Sequence, residues 1–271
     1  MVQFFSDHLR KVFPEITTQS KLLIAFSGGL DSVVLADILF RLNYDICLAH
    51  VNFSLRSEES DRDADFTDAF AKERKVPLFT KKVDTANYAD ERSLSTQEAA
   101  REIRYSWFDE LVKKEDLDFI LTAHHADDQL ETIFINLIRG TGLKGFTGIP
   151  EKRGHILRPL LPFKKSELLE FATKENIKWR EDSSNASTDY LRNKIRHELI
   201  PHFKDIDENA FRQAQKSINL ARSSYLLFED MVREKYEHIV SYENDRYFIS
   251  IDRLRKEKNT RTLLYHFISP F

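Results

Sequence analysis

Cysteine is almost missing from this chain: Cys47 stands alone among 271 residues. A single thiol excludes a disulfide framework and any Cys-x-x-Cys metal or redox site within the chain. No stretch of eighteen apolar residues occurs, which excludes a helical membrane span. The opening segment, Met1 to Phe13, is amphipathic and lacks the apolar core of a signal peptide. A soluble cytoplasmic protein is the expectation. Charge of one sign is lacking too, with a formal net charge of −3. That argues against indiscriminate nucleic-acid binding, which needs positive charge, but leaves a local basic face open. Glycine and proline are sparse, at seven each, and no internal repeat or low-complexity segment is found. What remains is a chain that is 41% hydrophobic, enough for a real core in one large or two modest domains.

The most informative stretch runs from Leu22 to Phe40. The short apolar run Leu22 to Phe26 has the length of a buried strand. Ser27-Gly28-Gly29-Leu30-Asp31-Ser32 follows, and then Val33, Val34, Leu35, Ile38 and Leu39 recur at helical spacing. A strand, a glycine turn and a helix in that order aim backbone N–H groups and a helix N-terminus at an anion, and phosphate suits them. The glycines permit close backbone approach, and Ser27 and Ser32 add hydroxyl donors. The turn is neither a Walker A loop, since it lacks the Gly-Lys-Ser/Thr ending, nor a three-glycine dinucleotide fingerprint. It carries Asp31 where a lysine would serve. An acid at an anion site makes sense when it holds magnesium against phosphate oxygens. The plainer reading is a strand-to-helix turn in which Asp31 is a first-turn acid favoured by the helix dipole.

Short apolar runs alternate with helical patterns from there on. Strands are expected at Ile46 to Val51, from Pro77 to Thr80, and at Phe119 to Thr122. A charged helix covers about 58 to 75. Ser95-Thr96-Gln97-Glu98 has the form of a capping box, opening a helix that turns Ala99, Ile103, Trp107 and Leu111 inward. Another helix spans His125 to Ile138, with Leu130, Ile133, Phe134, Leu137 and Ile138 on one face. Such repeated units imply a parallel α/β sheet covered on both sides, with ligands outside the strand C-termini. The Ser27–Ser32 turn, His50 and His124-His125 should therefore gather at one edge. Residues 139–148 hold four of the seven glycines and read as a mobile loop rather than an element. A helix is expected from about Lys164 to Asn176, another from Asn209 to the early 240s, and a strand at Tyr247 to Ile251. The expected division is a first domain at 1–205, with a catalytic loop at 139–163, and a smaller, mostly helical domain at 206–271.

Three further groups could carry chemistry. Asp128 and Glu131, in the run His124 to Thr132, share one helix face and could hold magnesium, an amine or a nucleobase amino group. The alternative is that Asp127 and Asp128 cap the helix while Glu131 is solvated. A two-histidine, two-carboxylate zinc site is disfavoured, because adjacent side chains of an extended segment diverge. Glu98, Arg101 and Arg104 read either as a capping acid with solvent-facing arginines, or with Arg101 set against phosphate or transition-state charge. Arg192, Lys194 and Arg196 make a short basic helix. Residues 139–165 add Arg139 and six more basic residues against Glu151 alone, a strip that RNA would need or an ordinary solvated surface.

The complete Ser-Gly-Gly-Leu-Asp-Ser string resembles the pyrophosphatase loop of the N-type (PP-loop) ATP pyrophosphatases, whose fold is Rossmann-like and of the adenine nucleotide alpha hydrolase type. Within that superfamily the chain resembles the tRNA(Ile)-lysidine synthetases from about Lys21 to Pro201. The strings that carry this are, in order, the loop; His50-Val51-Asn52 with Leu55-Arg56 and Glu59-Ser60; Glu98-Ala99-Ala100-Arg101 with Arg104-Tyr105; Thr122 to Gln129 with Glu131-Thr132; Arg139-Gly140 with Gly142-Leu143; Arg158-Pro159-Leu160; and Trp179 to Asn185 with Tyr190 to His197. The resemblance implies an ATP-dependent ligase that joins free lysine to carbon 2 of the wobble cytidine of tRNA(Ile), releasing AMP and pyrophosphate and changing codon recognition from AUG to AUA. It implies ATP at Ser27, Gly28, Gly29, Leu30, Asp31 and Ser32, with Mg2+ on Asp31. It implies catalytic roles for Asp31, Arg101, Asp128 (toward cytosine) and Glu131 (toward the lysine amine). Arg104, His125, Arg139, Arg192, Asn193 and Arg196 are the further substrate-binding candidates. A homodimer is an open possibility, and no membrane partner is expected. Another PP-loop tRNA-adenylating enzyme, or a non-catalytic nucleotide- or RNA-binding module on this fold, are the competing expectations. Two departures stand out: Phe53 occupies a place where the family usually has histidine, and many members continue into a C-terminal RNA-binding domain, so a fragment or a short form is expected.

Overall fold

A computed structural model of the protein describes residues 1–55, 57–181, 191–207 and 209–268. Its elements begin with α1 (Val2–Val12), β1 (Lys21–Ala25), α2 (Leu30–Arg41), β2 (Asp45–Asn52), α3 (Ser57–Arg74) and β3 (Leu78–Lys82). They continue with α4 (Thr85–Arg92), α5 (Thr96–Lys114), β4 (Phe119–Leu121), α6 (Ala126–Ile138), a 3-10 turn at Leu143–Thr147, β5 (Lys152–Arg153), β6 (Ile156–Leu157) and α7 (Lys165–Lys174). After residue 190 come α8 (Leu191–Lys194), a π-helical turn at Ile195–Leu199, α9 (Ile200–Ile206), α10 (Ala210–Ile239), β7 (Val240–Glu243), β8 (Arg246–Ile249), α11 (Ile251–Arg255) and α12 (Thr260–Ile268).

Two units are formed, Met1–Thr132 with Ile149–Pro201, and Ile133–Gly148 with His202–Phe271. The split differs from the expected boundary at 205, and it divides the 139–163 stretch at Gly148. The 3-10 turn stays with α10, since Arg222 Nη2 donates to the Thr147 carbonyl at 3.1 Å.

In the first unit the sheet order is β3-β2-β1-β4-β6-β5, parallel except for β5. Leu22, Leu23 and Ile24 of central β1 are fully buried, and they alternate faces as strand geometry requires. Leu22 and Ile24 join Phe5, Leu9, Val34, Ile38 and Phe171 on one side. Leu23 joins Cys47, Trp107, Phe108 and Leu111 on the other. Burying each such side chain is worth about 1.5–3 kcal/mol, so both layers are strongly driven. The capping box at α5 is complete: Ser95 Oγ accepts from the Glu98 N–H at 3.3 Å, and the Ser95 N–H donates to Glu98 Oε2 at 3.0 Å. Ala99, Ile103, Trp107 and Leu111 are buried as their spacing requires.

Three local expectations need correction. The segment 139–163 is not only loop: it holds the 3-10 turn and the β5–β6 hairpin, whose β6 extends the sheet beside β4. Strands two residues long carry no periodicity to read. On α6, Leu130 is buried, but Leu137 and Ile138 are 46% and 60% exposed; spacing fixes a helix face and not how far its partner surface reaches. The long helix α10 stops at Ile239, and Val240–Glu243 pairs with Arg246–Ile249. The turn between them, Asn244-Asp245, has positive φ at both residues, 50° and 58°, the two-residue form that matches hairpin twist.

The second unit has its own small core of Ile239, Leu254, Leu263 and Phe267. Elsewhere in that unit Phe134 and Phe203 meet edge-on at 5.6 Å. No helix among the described residues is long and apolar enough to cross a membrane.

Candidate active site

The turn after β1 is braced from within. Ser32 Oγ donates to the Gly29 carbonyl at 3.0 Å and accepts from the Ser27 N–H at 3.2 Å, while the Gly29 N–H donates to Ser27 Oγ at 3.2 Å. Ser32, at 4% exposure, is thus committed to shaping the loop. Gly28 sits at φ +83°, and a Cβ there would meet the Phe66 ring at 3.2 Å. Gly29 is the N-cap of α2, which leaves the first N–H groups of a twelve-residue helix facing outward. The loop is also held from outside. The Arg180 N–H donates to the Gly28 carbonyl at 2.9 Å, Gly29 and Arg180 form a parallel bridge, and Arg180 Nε reaches Asp63 Oδ1 at 3.1 Å.

Asp31, in the first turn of α2, faces the start of α6. Its Oδ2 lies 3.6 Å from His125 Nε2, which lies 3.6 Å from Asp128 Oδ2 as well. Burial pushes the His125 imidazole down, but Asp128, Asp31 and Asp127 outweigh it and hold its pKa above the ordinary value. Burial likewise pushes Asp128 up; His125, His124, the His125 N–H at 2.9 Å and Arg196 outweigh it and hold the carboxyl low. His124, which bonds Thr122 Oγ1 at 2.9 Å, is pushed down to about 4 by burial, aided by Arg158, Arg192 and Arg101. The two adjacent imidazoles are therefore shifted in opposite directions. Asp127 Oδ2 accepts the Lys165 N–H of α7 at 2.9 Å and lies 3.8 Å from His125 Nδ1.

Glu131 is the most enclosed acid, with its side chain 1% exposed. Arg196, on the π-helical turn, grips it with a fork: Nε to Oε1 at 2.6 Å and Nη2 to Oε2 at 3.0 Å. Arg196 Nη2 is 3.4 Å from Asp128, and Arg192 Nε is 3.5 Å from Glu131. Burial still holds Glu131 above its ordinary value despite Arg196. π-Turns are often found at functional sites, and this one carries the arginine that meets both acids.

Ser27, Asp31, Ser32, Phe53, Arg104, His124, Asp128 and Arg192 line a cavity of about 300 Å³. A second cavity, of about 360 Å³, shares Ser27, Val51, Phe53 and Arg104 with it, and takes in His50, Asn52, Asp63 and Arg180. The loop, Asp31, Arg104, His125, Asp128, Glu131, Arg192 and Arg196 are thus brought to one edge of the sheet. Leu30 is half-buried in the loop, and Asn193 is half-buried on α8. Arg101 is exposed, its guanidinium 4.9 Å from the Tyr105 ring. Arg139 is exposed and belongs to the second unit. Arg56 and residues 182–190, which hold part of the last resemblance strings, lie outside the described residues.

Two side chains that enter the sequence reading only as members of longer strings shape this edge. Buried Gln129 accepts from the Ile149 N–H at 2.6 Å and donates to its carbonyl at 3.2 Å. Buried Arg158 donates to the Pro150 carbonyl at 2.7 Å. Only the folded chain shows what they clamp. For a divalent ion the donor chemistry fits at one point: Asp31 Oδ1 is a buried carboxylate oxygen without a hydrogen-bond partner among the described residues. Among those residues no group of three or more His, Cys, Asp or Glu is set to hold a metal.

A doubly covered parallel sheet with a braced glycine loop, an acid and a helix N-terminus at the end of its central strand defines a nucleotide-binding α/β protein. The chain belongs to the PP-loop domain family, whose sequence model matches residues 1–203. It is 37% identical over 263 residues to a tRNA(Ile)-lysidine synthase of Porphyromonas gingivalis (strain ATCC BAA-308 / W83), covering 97% of this chain and 57% of that protein. It is 38% identical over 253 residues to one from Parabacteroides distasonis, covering 92% of this chain and 56% of that protein. The chain therefore spans a little over half the length of these curated relatives. Among solved structures the U34-tRNA thiolase NcsA from Methanococcus maripaludis shares the fold, with a TM-score of 0.65 at 18% identity, over 81% of this chain and 78% of that one.

Proposed function

We propose that this chain is the catalytic part of a tRNA(Ile)-lysidine synthetase, acting in the cytoplasm on ATP, free lysine and a tRNA(Ile) with C at the wobble position. The observation that carries the reading is the line from the loop through Asp31 and His125 to Asp128 and Glu131, each step within 3.6 Å or a single helical turn. Two half-reactions are needed on such an edge. In the first, the oxygen on carbon 2 of cytidine attacks the α-phosphorus of ATP and pyrophosphate leaves. In the second, the lysine ammonium gives up a proton to water, the resulting amine attacks carbon 2, AMP departs with the oxygen, and a second proton leaves the new C–N nitrogen for water.

The loop N–H groups and the α2 N-terminus hold the departing pyrophosphate, which places stabilisation where charge develops. Asp31 would hold Mg2+ through its unpartnered oxygen. When bound, that ion supplies neutralisation of the phosphate charge. Arg101 and Arg104 add fixed cations on the α5 side. Asp128, held ionised, accepts from the cytosine amino group. The incoming amine meets the carboxylates that Arg196 already touches, so its arrival exchanges one cation for another and leaves the buried charge balanced. The neutral His124 adds no repulsion to that ammonium.

The test is incorporation of labelled lysine into tRNA(Ile) transcripts with C or U at the wobble position, in the presence of ATP and magnesium. Incorporation into the C transcript alone is expected. No incorporation, with ATP and tRNA still bound, refutes the reading. Asp31→Ala should abolish AMP formation while circular dichroism stays unchanged, and normal turnover in that variant would exclude the metal role.

A further inference from the structure

Arg104 is a half-buried cation that makes no hydrogen bond or ion pair among the described residues and rests on a ring. Its guanidinium carbon lies 5.3 Å from the centroid of Phe53. Burial lowers its pKa; Tyr105 opposes that shift, and Arg101, one turn earlier on α5, adds repulsion. A carboxylate partner would have consumed N–H donors; a π contact consumes none, so the whole fork stays available to a ligand. A partly desolvated guanidinium that no described carboxylate pairs is costly to hold in place, and an anion lowers that cost.

Phe53 is placed with care. Its carbonyl accepts from Thr85 Oγ1 at 2.8 Å. On either side of it, Asn52 Oδ1 accepts from the Ser54 N–H at 2.9 Å, and Asn52 Nδ2 donates to the Ser60 carbonyl at 3.2 Å. The ring and the guanidinium both line the two cavities, as does Ser27, the first residue of the loop. The pair therefore forms part of a wall that the cradle shares.

We propose that Phe53 is a positioning residue for Arg104, and that Arg104 so held seats a phosphate oxygen of the nucleotide bound at the loop. The inference rests on the nucleotide part of the proposed function and is independent of tRNA and lysine. The planar fork suits a phosphate in a way that a lysine ammonium does not.

The experiment is calorimetric titration of the full chain with magnesium-ATP, and with adenosine as the probe that lacks phosphate. Phe53→Leu should weaken ATP about 3- to 30-fold, the range of a cation–π contact, and leave adenosine unchanged. Phe53→Tyr should stay within twofold of the parent chain. Arg104→Gln and Arg104→Lys should both weaken ATP, and Phe53→Leu on top of Arg104→Gln should add nothing. An equal loss for ATP and adenosine in Phe53→Leu would mean that the ring meets the nucleoside, and would overturn the positioning role. Unchanged ATP affinity in Arg104→Gln would overturn the phosphate seat. If the parent chain binds no ATP at all, the nucleotide reading itself falls, which separates that failure from the other two.

Discussion

Replacing Arg196 by methionine leaves Glu131 as a carboxylate in a site where its side chain is 1% exposed. Arg196 supplies both close contacts, at 2.6 and 3.0 Å. The remaining partner, Arg192, is 3.5 Å away and 45% exposed, so solvent screens most of what it could return. Breaking one side of a buried ion pair costs about 3–5 kcal/mol, a large share of a typical folding stability. The pH dependence gives the sharper check. Burial already holds Glu131 above its ordinary value, and loss of Arg196 removes the strongest opposing influence, so the group rises further. An acid raised in the folded state binds more protons there than in the unfolded chain, between its unfolded value near 4.3 and its folded one. Stability therefore falls as pH rises through that window. The deficit of Arg196→Met should be full at pH 8 and smaller at pH 5. Urea unfolding followed by the fluorescence of Trp107 and Trp179 at the two pH values measures both, and adding Glu131→Gln to the variant should recover most of the loss at pH 8. A deficit under 1 kcal/mol at pH 8, or one equal at both pH values, would refute the reasoning.

Cys47, pushed up to about 12 by burial with help from Asp45 and Glu115, should resist iodoacetamide at pH 8 in the native protein and react fully in urea; labelling of the folded chain at a free-thiol rate would contradict this. His124 and His125 should titrate in opposite directions from the ordinary 6.5 in nitrogen-detected NMR. His125 then lends stability that is complete below 6.5 and lost as pH rises through its folded value, whereas His124 costs stability as pH falls from 6.5 toward 4. A His125→Gln chain should lose the first slope and keep the second. Gly28→Ala should cost about 1–2 kcal/mol from its φ of +83°, and should weaken ATP binding as the loop moves off Phe66; Gly154→Ala, at φ +59° in open space, should show a similar backbone cost without the binding loss.

Much of this edge was legible in the sequence because its parts are local. Leu22 to Ser32 encodes strand, turn and helix start within eleven residues, and Ser95 with Glu98 encodes a cap through a fixed spacing of three. The Asp128–Glu131 spacing likewise places two acids on one face of α6. The fork of Arg196 on Glu131 was not legible, since nothing in either segment names the other. The charge of the basic helix suits either an RNA-facing strip or a solvated surface, yet one of its arginines is spent neutralising a buried acid. The two-residue strands β5 and β6 were hidden by their brevity, and the hairpin after α10 by an Asn-Asp turn that lacks the usual glycine. Arg180 was seen only as part of a string; its backbone role depends on a bridge that composition cannot announce.

That bridge bears on the order in which the protein comes into being. Gly29 leaves the ribosome early, and its pairing partner Arg180 is made only after every strand of the sheet. The nascent chain therefore carries the glycine turn with one of its two walls absent. Contacts of such separation form late, after the loop-closure entropy of the intervening chain has been overcome. Competence to grip an anion should thus lag behind the appearance of secondary structure during synthesis and refolding. A half-made chain would expose its strands without yet sequestering cellular nucleotide.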